Sequence, residues 1–424
     1  MKVILKNAKV ISPDSSYHNS RQNILVEDGL IKSIGEAKEE VAIVISSEDL
    51  HVSIGWFDVG ASLGDPGYEH KEDVISGLSA AAFGGFTDVA CLPNTRPVVQ
   101  YKENIAYLLG KAKETMVSLH VMAAATENLD GKSMTEIFDL SNAGAIAFSD
   151  GGHVISNSGL VVRVLQYLSQ IGSLLVLRSE DKTLGVHGVM NEGVTSAFLG
   201  QKGIPALSEE IATSKNLALL EYAGGRMHLN KVSSAESVDL IRKAKKKGVK
   251  VSCDVSVANL VYDESDLVDF DTNYKITPPL RTKQDQLALW EGVVDGTIDL
   301  IITDHNPQDE ESKKLEFDLA EDGMIQFETA FALLNEKVGE RVPLETIIQR
   351  ITMAPRSLLG LPVPKISVGA EACLTVFDPS LEWTYSSKSV KSKSKNNPEI
   401  GARLKGKPLA IFNKGKFVDL REVK

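Results

Sequence analysis

The chain has 424 residues, 43% of them hydrophobic and 24% charged. That is too long for one small module and enough for one large barrel or two to three domains with a sizeable core. The formal net charge of −11 (46 basic, 57 acidic residues) disfavours nonspecific binding to nucleic acid or anionic membranes.

No apolar run reaches the roughly 18–20 residues of a membrane span. MKVILKNAKVIS at the start turns polar too early for a signal-peptide core. Cys91, Cys253 and Cys373 are far apart and odd in number, so neither a disulfide framework nor a CxxC metal knuckle is formed. A protein of the reducing cytoplasm is expected.

The N-terminal segment, 1–52, reads as short strands: Val3-Ile4-Leu5, Val10-Ile11 and Ile24-Leu25-Val26, with a turn at Asp28-Gly29. From 53 to 361 the texture changes. Short apolar runs (Thr87–Leu92, Ser118–Ala124, Ala145–Phe148, Leu174–Leu177, Met227–Leu229, Val249–Cys253, Leu300–Thr303) alternate with longer helix-like stretches. Such alternation predicts an α/β fold, a parallel (β/α)8 TIM barrel. Strand character returns over 362–424, in Leu374-Thr375-Val376-Phe377, Leu409-Ala410-Ile411-Phe412 and Phe417-Val418. The two ends are expected to build a small β-sandwich beside the barrel. Within the C-terminal part, SSKSVKSKSKNN (386–397) reads as a solvated, mobile basic loop. IRKAKKKG (241–248) reads as the lysine-rich end of a helix followed by a Gly cap. There is no phosphate-binding or dinucleotide fingerprint and no G-x-S-x-G elbow.

Several blocks occur in a characteristic order. Asp65-Pro66-Gly67 precedes Glu69-His70-Lys71-Glu72-Asp73, then Gly84-Gly85-Phe86-Thr87 leads to Pro93-Asn94-Thr95. Ala147-Phe148-Ser149-Asp150-Gly151, Glu180-Asp181-Lys182 and His187-Gly188-Val189-Met190-Asn191-Glu192-Gly193 follow. Gly203-Ile204-Pro205, Pro278-Pro279-Leu280-Arg281-Thr282 and Ile302-Thr303-Asp304-His305 complete the set. Over essentially the whole chain these blocks resemble the longer bacterial type of dihydroorotase, in the amidohydrolase superfamily. The resemblance implies metal-assisted hydrolysis or closure of a cyclic amide, with zinc polarising the carbonyl and supplying hydroxide.

The residues that would hold that metal are not the family's. Where the family has D-x-H-x-H-L-R-x-P-G, this chain has Asp58-Val59-Gly60-Ala61-Ser62-Leu63-Gly64-Asp65-Pro66-Gly67. Gly60 and Ser62 therefore replace two His ligands, and Gly64 replaces the Arg that clamps the substrate carboxylate. Arg178 stands at the third ligand position and Lys231 at the fourth, with His228 kept as the neighbour outside the metal shell. Of the S-D-D-G pair, one carboxylate survives as Asp150, aligned with either member. Asp304, ligand and general base in the family, is retained, as is the substrate-side Asn94. Thr277 and Gln308 replace a family Asn and His. The resemblance thus implies a homologue that is non-catalytic, with Asp304 and Asn94 vestigial and no cofactor bound. Asp150, Arg178, Lys231 and Asp304 are expected to form a charge cluster at the barrel mouth, with the two cations pairing the two carboxylates. A structural partnership with aspartate carbamoyltransferase and a homodimer are expected. Two rivals remain open: a cyclic-amide hydrolase with a reduced or rebuilt metal site and Asp304 as base, and a binding protein for a pyrimidine intermediate.

Overall fold

The computed structural model describes residues 1–35 and 43–421. Among them, eight parallel strands form one sheet in chain order. They are β1 (Trp56–Ala61), β2 (Phe86–Cys91), β3 (Ser118–Ala123), β4 (Ala145–Ser149), β5 (Leu175–Arg178), β6 (Met227–Asn230), β7 (Val251–Ser256) and β8 (Leu300–Ile302). β8 lies against β1. The circle is closed by Ser62 N–H donating to the His305 carbonyl (2.9 Å) and Thr303 N–H donating to Asp58 Oδ1 (2.6 Å). β5, β6 and β8 are buried at every position, as expected of strands covered on both faces. The predicted TIM barrel is therefore the observed architecture.

Outer helices connect the strands. Ser158–Gln170 is capped by Asn157, whose side chain accepts from Leu160 N–H, and Ala235–Lys246 by Ser234. The latter ends in the predicted lysines, and Gly248 at φ +82° turns the chain out of it. Ala206–Ala223 packs between these two helices.

The chain ends pair in one mixed sheet, so the small β-domain predicted from both ends is present beside the barrel. Its path is Lys416–Asp419, Arg403–Asn413, Leu374–Thr384, His51–Ile54, Lys2–Ile11, Arg21–Glu27 and Leu30–Ile34. Lys2–Ile11 pairs through Val3–Leu5 with Ile43–Ile45 and through Lys9–Ile11 with His51–Ile54. His51–Ile54 in turn pairs antiparallel with Leu374–Phe377, so this short strand carries ladders from both chain ends, and the sheet has its own apolar core of Val3, Leu5, Val52, Leu374 and Phe412. Gly55 alone separates His51–Ile54 from β1; a Cβ there would lie 2.1 Å from Thr87 Oγ1.

Segment 386–397 is not a solvated loop. Ser392, Ser394, Asn396 and Asn397 are buried, and the segment straps the loops after β1 and β8. Ser394 Oγ donates to the Lys71 carbonyl (2.7 Å) and Asn396 Nδ2 to the Asn306 carbonyl (3.1 Å). The Lys391 amide donates to Glu328 (2.9 Å), and the Ser392 hydroxyl to Glu72. The lysines of this stretch read as a solvated run, but its Ser and Asn side chains make the contacts.

Candidate active site

The C-terminal ends of the strands bring most of the expected residues together, as barrel sites require. β1 delivers Asp58, Gly60 and then Ser62. Asp58 is fully buried; its Oδ1 accepts from Thr303 N–H, while Oδ2 has no hydrogen-bond partner. Burial pushes this carboxyl up to about 7, and the charges of Asp304 and Asp254 push the same way. Gly60 has φ +111° and Gly64 φ +68°. A Cβ on Gly64 would lie 2.7 Å from the Glu72 carbonyl oxygen and 2.9 Å from that of Tyr68. The loop after β1 thus leaves no room for a side chain at position 64. Ser62 Oγ accepts from Asn94 Nδ2 at 3.2 Å.

Lys231 and Asp304 form the centre. Lys231 Nζ lies 2.9 and 3.1 Å from the two Asp304 oxygens, and both residues are largely buried. Both hold left-handed backbone, φ +59° and +51°, a conformation that non-glycine residues adopt at a cost of order 1 kcal/mol and that clusters at functional sites. Burial pushes the Asp304 carboxyl up, and the Lys231 ammonium opposes it. Asp254, on β7, supports the pair. Its Oδ1 accepts from Lys231 N–H (2.6 Å); its Oδ2 meets His228 Nε2 and Asn230 Nδ2, both at 2.8 Å. His228 Nδ1 lies 2.8 Å from Ser252 Oγ, so both ring nitrogens are engaged within the barrel. Asp254 was not anticipated; the signal was an acidic residue ending the buried run Val251–Cys253.

The other half of the expected cluster does not form. Arg178 bonds Glu180 (2.9 Å) and Thr277 Oγ1 (3.3 Å), not Asp150. Asp150 is satisfied by the Ala125 and Thr126 amides (3.0 and 2.9 Å) and by Thr126 Oγ1 (2.5 Å). Burial still pushes it up to about 6, against these bonds. Gln308 accepts from Lys71 Nζ at 2.6 Å. His305 stacks on Phe327, its Nδ1 accepting from Gln326 N–H (3.2 Å), and burial holds the ring below its usual range. Arg281 of the PPLRT block joins Asn191 Oδ1 (2.8 Å) to the Ile204 carbonyl (2.7 Å), so three of the matched blocks meet in one structural tie.

The cavity lined by Arg178, Lys231, Glu209, Pro278 and Arg281 has a volume of about 10 Å³. That is room for one water, whereas small-molecule sites run to roughly 300–1,000 Å³. Among the described residues, no group of three or more His, Cys, Asp or Glu side chains is arranged to hold a metal. Nor is any helix of the described residues long and apolar enough to cross a membrane.

The fold and the position of these residues define a barrel of the amidohydrolase type. Its likeness to the L-hydantoinase (dihydropyrimidinase) of Arthrobacter aurescens has a TM-score of 0.85 at 23% identity, covering 98% of this chain and 96% of that one. A D-hydantoinase structure gives 0.81 at 24% identity, over 99% and 95%. A family profile described as Dihydro-orotase-like matches residues 51–237. The chain is 37% identical over 422 residues to a dihydroorotase of Citrifermentans bemidjiense, covering 99% of each chain. It is 38% identical over 423 residues to one of Syntrophus aciditrophicus, again covering 99% of each. The chain belongs to the dihydroorotase-like family.

Proposed function

We propose that this chain is a metal-free, catalytically silent dihydroorotase homologue that keeps the barrel for a structural task in pyrimidine biosynthesis. Its partner in this reading is aspartate carbamoyltransferase and its compartment the cytoplasm, where three unpaired cysteines are stable. The observation that carries the reading is the Lys231 ammonium bound to both oxygens of Asp304. Metal-assisted hydrolysis needs neutral His or free carboxylate donors. Gly60 offers no donor, Ser62 a weak one, and Arg178 and Lys231 are cations, so the residues present do not fit a dinuclear zinc centre. Asp304, paired to an ammonium, is a poor acceptor for the proton of a water molecule, and a 10 Å³ cavity leaves no room for a cyclic amide. The relatives named dihydroorotase support the pathway.

The test is elemental analysis of protein purified without chelators, together with turnover of dihydroorotate and carbamoyl aspartate. Substoichiometric metal and no turnover are expected. Two metals per chain, or turnover abolished by Asp304→Asn, would instead establish a working hydrolase. Co-sedimentation with aspartate carbamoyltransferase of the same organism tests the partner; failure to co-sediment removes that part of the proposal.

A further inference from the structure

A cavity of about 230 Å³ lies where the barrel, the 386–397 strap and the chain-end sheet meet. Phe83, which ends the helix Val74–Phe83, lines it from the barrel side. Trp383 and Pro408 line it from two paired strands of the sheet. The first turn of the strap supplies Ser386, Lys388 and Ser389. That turn is fixed: the Ser389 amide and hydroxyl both donate to the Ser386 carbonyl, at 2.9 and 2.8 Å.

The cavity is one-sided in charge, in a chain whose net charge is −11. Lys388 and Lys407 line it, and the Lys391 ammonium lies 4.7 Å from the Phe83 ring centre. Among the described residues, none of these three ammonium groups has a carboxylate or hydrogen-bond partner. That of Lys407 has the Trp383 ring, 5.6 Å away, and burial pushes it down. Glu328, the one carboxyl in the lining, is taken up by the protein's own donors. It accepts from the Lys391 amide (2.9 and 3.2 Å), the Ser392 amide (3.3 Å) and the Tyr385 hydroxyl. Burial pushes it up to about 7, so at neutral pH it brings less than a full negative charge.

This lining says what the cavity takes. A half-buried ammonium without a partner is costly, and an anion offsets the cost. The other polar groups of the lining are the hydroxyls of Thr384, Ser386 and Ser389, which can donate to phosphate or carboxylate oxygens. Phe83, Trp383 and Pro408 are apolar and offer aromatic surface to a flat ring. The volume is below the roughly 300–1,000 Å³ of drug-sized sites, so it suits one ring with one anionic group.

We propose that this cavity binds a small aromatic acid, a single planar ring bearing a phosphate or carboxylate group, with the anion on Lys388 and Lys407 and the ring against Phe83 and Trp383. The site shares no residue with the Lys231–Asp304 centre, so the result is independent of metal content and of catalysis. Phenyl phosphate and benzoate are the probes, titrated into the full chain by calorimetry and by tryptophan fluorescence. Trp56 and Trp290 are buried and Trp383 is half-buried, so a ligand here changes the Trp383 emission. At least one probe is expected to bind saturably, one per chain, and at least tenfold more tightly than inorganic phosphate or benzyl alcohol, each of which carries half of the recognised chemistry. Preference for phenyl phosphate assigns a phosphate ester, preference for benzoate a carboxylate. Lys388→Met/Lys407→Met is expected to weaken binding about tenfold or more while the circular dichroism spectrum stays that of the parent. Trp383→Phe keeps a ring, so binding by calorimetry persists while the fluorescence response is lost. Failure of both probes to saturate at millimolar concentration overturns the proposal. So does equal binding of either half-probe, equal binding by Lys388→Met/Lys407→Met, or a fluorescence response that survives Trp383→Phe.

Discussion

Replacing Lys231 by Met removes an ammonium from a mouth in which Asp304 has no other side-chain donor among the hydrogen bonds described. Met fills a similar volume, so the change is electrostatic more than steric. Breaking a buried pair by deleting one member costs about 3–5 kcal/mol, because the remaining charge is left uncompensated. At about 2.1 cal/mol/K of unfolding entropy per residue, a chain of 424 residues loses roughly 3–6 °C of melting temperature. Asp304 can escape part of this by taking a proton. Its carboxyl is already pushed up by burial with Lys231 opposing, so losing the lysine raises it further. The deficit should therefore be larger at pH 8 than at pH 5.5. Lys231→Met/Asp304→Asn deletes both charges and should recover most of the loss. Differential scanning calorimetry of parent, single and double variants reads this directly. An unchanged melting temperature for Lys231→Met, or a double variant no more stable than the single, would refute the account of Lys231 as a built-in countercharge.

Asp58, Asp150 and Glu328 are pushed up by burial to about 7, 6 and 7. In the unfolded chain these carboxyls ionise near 4, so between those limits the folded state binds more protons and stability falls as pH rises. The melting temperature should accordingly be higher at pH 6 than at pH 8; a flat or rising profile over that interval contradicts the burial argument. Gly64→Arg, which restores the family's residue type, should destabilise by about 1–3 kcal/mol, since its left-handed backbone and the close carbonyls of Glu72 and Tyr68 leave no place for a Cβ. Equal stability in urea titration would show that the loop yields freely. Asn397→Ala removes bonds from Asn397 to the Ile325 carbonyl (2.5 Å) and Thr329 Oγ1 (3.2 Å). It should cost about 1–3 kcal/mol and speed amide exchange in 386–397, and unchanged exchange would mean that the strap is held elsewhere.

Much of this architecture is readable along the chain. The alternation of apolar runs with helical stretches yields the eight barrel strands because burial on both faces requires continuous apolar segments. The helix stop at Gly248 follows from local chemistry too. Residue types at the strand ends, Gly60, Ser62, Arg178, Lys231 and Asp304, were legible by position, and the Lys231–Asp304 pair followed from them. Arg178 shows the limit. Its partner Glu180 lies two residues on, where an extended chain places both side chains on one face; that local pairing won over the distant Asp150. Asp150 needed no cation, because the Ala125 and Thr126 amides were already ordered by the β3 loop and cost no side-chain freedom to recruit.

What the sequence by itself determined is periodic and local: strands, helix ends, and which side chains stand at the barrel mouth. Tertiary structure alone decided the rest. It set which donor reaches which carboxylate, that Asp254 supports Lys231, that a Lys- and Ser-rich segment is a strap, and that His51–Ile54 is the strand joining the two chain ends. These depend on through-space distances between segments from 23 residues apart (Lys231 and Asp254) to 320 apart (Glu72 and Ser392), and many polar groups compete for each partner. The nearest geometry that satisfies a buried charge prevails, and no spacing along the chain encodes it.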